Sequence, residues 1–528
     1  MKSKCAAFIC LLLSRVLPGA QTPIEATWGA FPAADLFSNS APVSLRIQIT
    51  ESNLEVLRNE SREFVAAQVT EGQTVYSNVA VHLKGSVGSF RPVDDKPSWT
   101  VDFSKFNASQ KFHGLRRIHL NNSVEDPSYC NELLGSELFR DAGVPAPRVT
   151  RALVTLNDRQ LGLYVLKEGF TEDFLSCYFT HPSGGLYEPD EGHDINQHLK
   201  RNSIPVHGND RAALRSLADV VRDPDPVHRW ERFEKILAID EFVSFMAMEV
   251  LLGHRDGYCL ARNNFRIYEE AQTRKFWFFP QGMDQLWRNP DASWRPQMAG
   301  LVAQGVMETP EGKNRYRARV GNLVTNLLKP DFLGQRIDEL TAQLRLSGEA
   351  DKFGAIQKEA ALLKERIVRR RASLDSQLSQ TELKLVSFDQ GPVVLEGWKR
   401  FEPPSNGSMD MCKSTDGITS LHIQTRNEAA TSWRTQVLLN RGQYRFEGKV
   451  TVSGVKPLPF GVHQGAGLRV AGSTRQSENL VGDASWRGLQ AEFHVQSDNT
   501  VVELICELRA SSGEAWFDAA SLKIIPLQ

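Results

Sequence analysis

His254–Trp287 reads HRDGYCLARNNFRIYEEAQTRKFWFFPQGMDQLW and sets two acidic residues, Asp256 and Asp284, on either side of an asparagine pair and a strand-like hydrophobic run. An Asp, then Asn, then a strand, then a second Asp is the order a phosphoryl-transfer site needs when one carboxylate orients a hydroxyl and another holds Mg²⁺ on nucleotide phosphates. Upstream, Val81–Phe103 (VHLKGSVGSFRPVDDKPSWTVDF) alternates as a strand, breaks at a Gly/Ser-rich turn and resumes as a second strand, with Lys84 and Lys96 on the flanks. Glycines let backbone N–H groups approach phosphate oxygens, and a lysine supplies a point charge.

Those two segments are joined by FHGLRRIHLNNSVEDPSYCNELLGSELFRDAGVPAPRVTRALVTLNDRQLGLYVLKEGF and followed by GGLYEPD, HRDGY, NNFRIY and FFPQGMDQLW. In this order, from roughly Ser44 to Trp287, the chain resembles the spore coat protein H (CotH) kinase-like family. The resemblance implies an α+β, atypical protein-kinase-like fold and phosphorylation of Ser/Thr in secreted or surface proteins, dependent on ATP and Mg²⁺ (or Mn²⁺). It makes Asp256 the catalytic residue that orients and deprotonates the acceptor hydroxyl. The letters His-Arg-Asp echo classical kinases by coincidence, because the following asparagine is too distant. Asp284, at the end of FWFFP, is the expected metal ligand, and Asn264 or its neighbour Asn263 the neutral second ligand. Lys84 and Lys96 compete for the phosphate. Glu168, ending YVLKE, is expected to pair with one of these lysines or to touch the nucleotide. The family often carries Trp-Asp-x-Asp where this chain has Gln281-Gly282-Met283-Asp284, so one metal ligand is missing. That departure keeps open a catalytically weak, kinase-like scaffold, and a third reading makes the protein a glycan or surface binder.

With 528 residues, two or three domains are expected at ~150 residues each. A formal net charge of -1 gives no electrostatic argument for nucleic acid or an anionic membrane. Residues 1–20 read as a secretory signal: Lys2 and Lys4 precede a short apolar run and small residues ending at Ala20. No transmembrane segment is expected after its cleavage, and the location implied is secreted, periplasmic or on a bacterial surface. The five remaining cysteines, Cys130, Cys177, Cys259, Cys412 and Cys506, show no disulfide framework or zinc spacing. Cys412 and Cys506 either bridge or stay as buried thiols. His193 and His198 read as surface histidines, and Asn121 and Asn122 as backbone caps before a helix that starts near Asp126-Pro127-Ser128.

The expected organisation is a kinase-like domain over 42–330, a helical extension over 331–382 and an all-β jelly-roll sandwich over 383–528. Helical spacing runs through Ala212–Val221 and continuously through Trp230–Leu252. After Thr381, about eight alternating strands such as YRFEGKVTV and VVELICELRA are separated by Gly, Ser, Asn and Asp turns. This pattern is similar to the carbohydrate-binding-module-like jelly rolls of secreted bacterial proteins, which makes polysaccharide a partner to test. Its tryptophans, Trp398, Trp433, Trp486 and Trp516, are candidate sugar platforms, although tryptophan in a sandwich is more often core.

Overall fold

The computed structural model describes residues 31–38, 41–86, 88–197, 199–201, 210–344, 350–379, 383–413, 417–458, 464–471, 477–496 and 500–527. The expected signal and His198 lie outside them. The chain divides into two compact units, Met1–Ser379 and Gln380–Gln528.

The first unit opens with α1 (Ala34–Ser38), β1 (Val43–Gln48), α2 (Glu51–Asn59), β2 (Val65–Glu71), β3 (Thr74–Lys84), β4 (Ser98–Asp102), β5 (Arg117–Asn121), α3 (Asn131–Asp141), β6 (Val149–Leu156) and β7 (Arg159–Glu168). The seven strands close into a barrel in the order β1-β2-β3-β4-β5-β7-β6, sealed by parallel pairing of β6 with β1. Alternation dictates the interior: Leu45 and Ile47 of β1, Val81 and Leu83 of β3, and Trp99 and Val101 of β4 all point into one buried cluster. Between β5 and β6 the chain leaves the barrel to form α3. The Asp126 carboxylate starts this helix, accepting from Asn131 N at 2.8 Å and Ser128 N at 3.2 Å.

The rest of the unit comprises α4 (Glu172–Leu175), β8 (Gly184–Pro189), β9 (Leu199–Arg201), α5 (Asp210–Val221), α6 (Pro226–Ile236), α7 (Ile239–Leu252), α8 (Tyr258–Ala261), β10 (Phe265–Glu270), β11 (Phe276–Pro280), α9 (Leu301–Met307), α10 (Pro310–Asn326), α11 (Pro330–Leu344) and α12 (Ala350–Ser379). Its four strands form a sheet in the order β11-β10-β8-β9. The single helix expected over Trp230–Leu252 is broken. Leu237 adopts an extended conformation (φ -119°, ψ 138°), bridges to Phe276, and Ala238 N donates to Phe276 O at 3.0 Å. Pairing with the edge of β11 outweighs helical continuity there. Helix α7 is buried almost all round, and its apolar side chains join α3, α10 and α12 in one core.

The second unit consists of β12 (Val393–Val394), β13 (Lys399–Phe401), β14 (Gly407–Lys413), β15 (Thr419–Thr425), β16 (Ala429–Leu439), β17 (Gly442–Pro457), β18 (Gly465–Val470), β19 (Gly482–Val495), β20 (Thr500–Asp518) and β21 (Lys523–Leu527). All their pairings are antiparallel, and the inward residues enclose a single core. Two long strands connect its parts. β20 pairs with β16 and β18 through its first half and with β15 and β17 beyond residue 510. Cys412 and Cys506 are both free thiols, and burial pushes the Cys506 pKa up.

Gly513 sits where β20 changes partners, at φ +126°, and a Cβ there would lie 2.5 Å from Val455 Cα. Gly513→Ala should therefore destabilise the C-terminal unit by about 1–3 kcal/mol. Calorimetry should show an earlier transition for that unit and an unmoved one for the N-terminal unit; an unchanged thermogram would contradict the reading of β20.

Candidate functional site

Antiparallel pairing of β10 with β11 sets Phe265 opposite Pro280, so Asn264, just before β10, and Asp284, just after β11, emerge at the same end of the sheet. The turn carrying Asp256 is brought to that end by His254, whose Nε2 lies 2.9 Å from Gln281 O, and by Trp287 N, which donates to Leu252 O at 2.8 Å. Helix α7 stops at Gly253 in the left-handed conformation (φ 65°), a routine glycine C-cap. Beyond it, the buried carboxylate of Glu249 accepts from Tyr258 N at 2.9 Å and Cys259 N at 2.7 Å. Burial pushes the Glu249 pKa up to about 7. Gly257 is required by this packing, because a Cβ would stand 2.5 Å from Glu249 Oε1. Asp256 itself keeps 35% of its side chain exposed, 3.7 Å from the Arg255 guanidinium. Of the two acids, it is the one whose turn is clamped while its carboxylate faces outward.

A second carboxylate joins this end to the barrel. Glu132, in the first turn of α3, accepts from Lys167 Nζ on β7 at 2.9 Å, and both side chains are 2% exposed. The same carboxylate accepts from Asn121 Nδ2 at the end of β5 and from Met283 N at 3.0 Å, in the segment that carries Asp284. Asn121 Oδ1 in turn accepts from Lys84 Nζ at 2.6 Å. Two barrel strands, one helix and the segment after β11 therefore meet at one carboxylate, with a third strand, β3, joined through Asn121. Burial alone raises the pKa of Glu132, but the attraction of Lys167 and the surrounding hydrogen bonds outweigh it and hold the group below the usual carboxylate range. Burial and the repulsion of Lys167 lower Lys84 to about 7, while burial and the repulsion of Glu132 raise Asp284 to about 7. His254, between Asp256 and Glu132 electrostatically, is pushed down to about 4 by burial and is neutral near pH 7.

Of the residues singled out in the sequence, Asp256, Asn264, Asp284 and Lys84 are thus drawn into one region. Lys96 and Glu168 stand apart from it. Lys96 Nζ donates to Tyr129 Oη at 2.8 Å and lies over the rings of Tyr129 and Tyr164. Glu168 pairs with neither lysine: its fully buried carboxylate is held by Arg148 Nη2 at 2.7 Å and by Arg148 N at 2.6 Å. Asn121 is a link in the polar chain rather than a cap, and Asn122 pins the glycine-rich turn by donating to Ser89 O and Lys96 O at 3.1 and 2.9 Å. Three residues passed over in the sequence matter here: Glu132, Lys167 and Arg370. Arg370 of α12 is buried, and donates to Val250 O at 2.9 Å, Leu251 O at 3.1 Å and Pro290 O at 3.1 Å, holding the end of α7 beside the segment that follows Asp284.

The acid missing at Gly282 has a steric counterpart. Gly282 lies at φ +60°, and a Cβ on it would fall 2.7 Å from Asn264 Cγ. The amide of Asn264 occupies the space a side chain at 282 needs. Among the described residues no group of three His, Cys, Asp or Glu could hold a metal by themselves. Asp284 also makes no salt bridge among those described, and the nearby buried Asn131 Oδ1 has no hydrogen-bond partner, although Asn131 Nδ2 donates to Asp284 O at 2.9 Å. The donor set therefore fits a nucleotide-bound divalent cation at Asp284 and Asn264.

The family profile described as CotH kinase protein matches residues 81–374. The chain belongs to the CotH kinase family. Among curated relatives, invasin CotH2 of Rhizopus delemar is 22% identical over 294 residues, 50% of this chain and 49% of that protein. Inner spore coat protein H of Bacillus subtilis is 19% identical over 269 residues, 47% of this chain and 73% of that protein. The chain spans about half the length of the fungal relatives it matches. Among solved structures, a CBM61 module in complex with β-1,4-galactotriose aligns with 27% of this chain and 93% of its own at 11% identity, with a TM-score of 0.19, too low to carry an argument.

In the free protein the Asp284 carboxyl should titrate near pH 7 by ¹³C NMR. A raised carboxyl pKa means the folded state favours the neutral form. Ionising Asp284 should thus subtract stability as pH rises from ~4 through about 7, and subtract nothing below ~4. A midpoint near ~4, as for an exposed aspartate, would contradict the burial described.

Proposed function

We propose that the N-terminal unit is an atypical kinase that moves the γ-phosphoryl group of ATP to Ser/Thr hydroxyls of secreted or surface proteins. The observation that carries this reading is the Glu132 junction, which links two lysines of the barrel, Lys84 and Lys167, to Met283 in the segment after β11 that bears Asp284, beside Asn264 just before β10. In this reading Lys84, rather than Lys96, meets phosphate, supported by its link through Asn121 to the Glu132 junction. Half-buried, it gains its proton most readily when an anion arrives beside it. Asp256, held by its clamped turn, accepts the acceptor hydroxyl's proton as that oxygen bonds to the γ-phosphorus and the bond to the β–γ bridging oxygen breaks, releasing ADP. A divalent cation bound with the nucleotide supplies neutralisation of the β- and γ-phosphate charge. His254 stays neutral and orients the turn through Gln281 O.

A location outside the cytoplasm is supported by the signal-like residues 1–20 and by relatives named as an invasin and an inner spore coat protein. A second reading, a nucleotide-binding scaffold with feeble transfer, is favoured by Gly282, which offers no carboxylate where the family often has one. Labelled ATP with Mg²⁺ or Mn²⁺ and a generic protein acceptor separates the two. The kinase reading expects incorporation by the wild type. Asp256→Asn should keep the ATP-induced rise in melting temperature but lose transfer by about 10²-fold or more, whereas Asp284→Ala should lose both. Transfer at the wild-type rate by both variants, or a wild type that binds and does not transfer, would overturn it; the latter would support the scaffold.

A further inference from the structure

The outward face of the C-terminal unit carries a row of cross-strand partners, Asp410 on β14, His422 on β15, Trp516 on β20 and Thr451 on β17. Beside it runs a second row, Ser408, Gln424, Glu514 and Ser453. The intervening residues Leu421, Ile423, Ala515, Phe517, Val450 and Val452 lie in the core, so both rows point away from it. At their centre the His422 and Trp516 rings stack, with centroids 4.8 Å apart and planes 14° from parallel. Glu514 fixes the polar edge of this pair: its carboxylate meets His422 Nε2 at 3.0 Å and accepts from Gln424 Nε2 at 2.7 Å. Glu514 keeps 32% of its side chain exposed, leaving lone pairs for another donor. Further along the row, a bulge in β19 sets Ser485 and Trp486 opposite Thr451, and Trp486 is 39% exposed.

The other two tryptophans are structural. Trp433 is buried with its Nε1 donating to His422 O at 3.1 Å, and Trp398 packs on Phe446 with its Nε1 on Leu395 O at 3.1 Å. A polar sheet face that spends two large aromatic side chains outside the core, beside an ordered carboxylate and amide, offers flat apolar surface and mixed hydrogen-bonding groups side by side. Sugar rings present that same combination, an apolar C–H face ringed by hydroxyls that both donate and accept. The Glu514 carboxylate beside the stack repels acidic sugars. We propose that the β14–β15–β20–β17–β19 face of the C-terminal unit binds a neutral polysaccharide, with Trp516 and Trp486 as ring platforms and Glu514 and Gln424 as hydroxyl-recognising groups. This site is independent of the kinase reading.

Full-length protein should be retained by at least one of cellulose, xylan, β-galactan and chitin, and not by polygalacturonate. Glu514→Gln and Trp486→Ala should each weaken retention tenfold or more with the melting profile unchanged, and Trp516→Ala should abolish it. Should Trp516→Ala fail to fold, Trp516→Phe and the other two variants decide the matter. Retention by none of the neutral polysaccharides, or retention that survives both Glu514→Gln and Trp486→Ala, would overturn the proposal.

Discussion

The buried Glu132–Lys167 pair is the constraint on which the N-terminal unit depends. Each side chain is 2% exposed, so neither charge is tolerable without the other; removing one partner of such a pair typically costs ~3–5 kcal/mol. What sets this pair apart from a mere structural ion pair is the number of elements it fixes. Through Asn121 it reaches Lys84, and through Met283 N it reaches the segment bearing Asp284. This carboxylate thus ties the barrel to the segment after β11, alongside direct contacts such as Arg151 Nη1 to Leu340 O at 2.6 Å and Arg336 Nη2 to Glu137 Oε1 at 2.6 Å. Asn131 Oδ1, on the residue preceding Glu132, has no hydrogen-bond partner among the described residues.

Two glycines show how closely the region is built. Gly257 makes room for the Glu249 carboxylate that clamps the Asp256 turn, and Gly282 makes room for the Asn264 amide. The second is informative about the family's missing acid. Here the Asn264 amide fills the space beside Gly282, where a side chain would clash.

Much of this was legible in the sequence, because motif order along the chain reports the strand ends that a sheet brings together. Asp256, Asn264 and Asp284 converge as that order suggests, and Lys84 joins them. The errors have physical causes. In Lys167-Glu168 the wrong member drew notice: Tyr164 and Leu166 face the barrel core and Val165 the helical core, so parity puts Lys167 toward α3 and Glu168 toward the opposite side, where Arg148 takes it. Lys96 is adjacent to the glycine turn in sequence but bound by two tyrosine rings in space. The break at Leu237 was invisible to helical periodicity, since its cause is a strand edge some forty residues downstream. Glu132 and Arg370 gave no local signal, as each acts through groups distant in the chain.

The central claim, that the Glu132 junction organises a nucleotide–metal site at the end of β11, is tested most directly by a crystal structure of the N-terminal unit in the full chain with a non-hydrolysable ATP analogue and Mn²⁺. The anomalous Mn²⁺ peak is expected within ~2–2.5 Å of an Asp284 carboxylate oxygen, with Lys84 contacting phosphate and the Glu132–Lys167 pair intact. A nucleotide bound away from this junction, or a metal coordinated without Asp284, would contradict it.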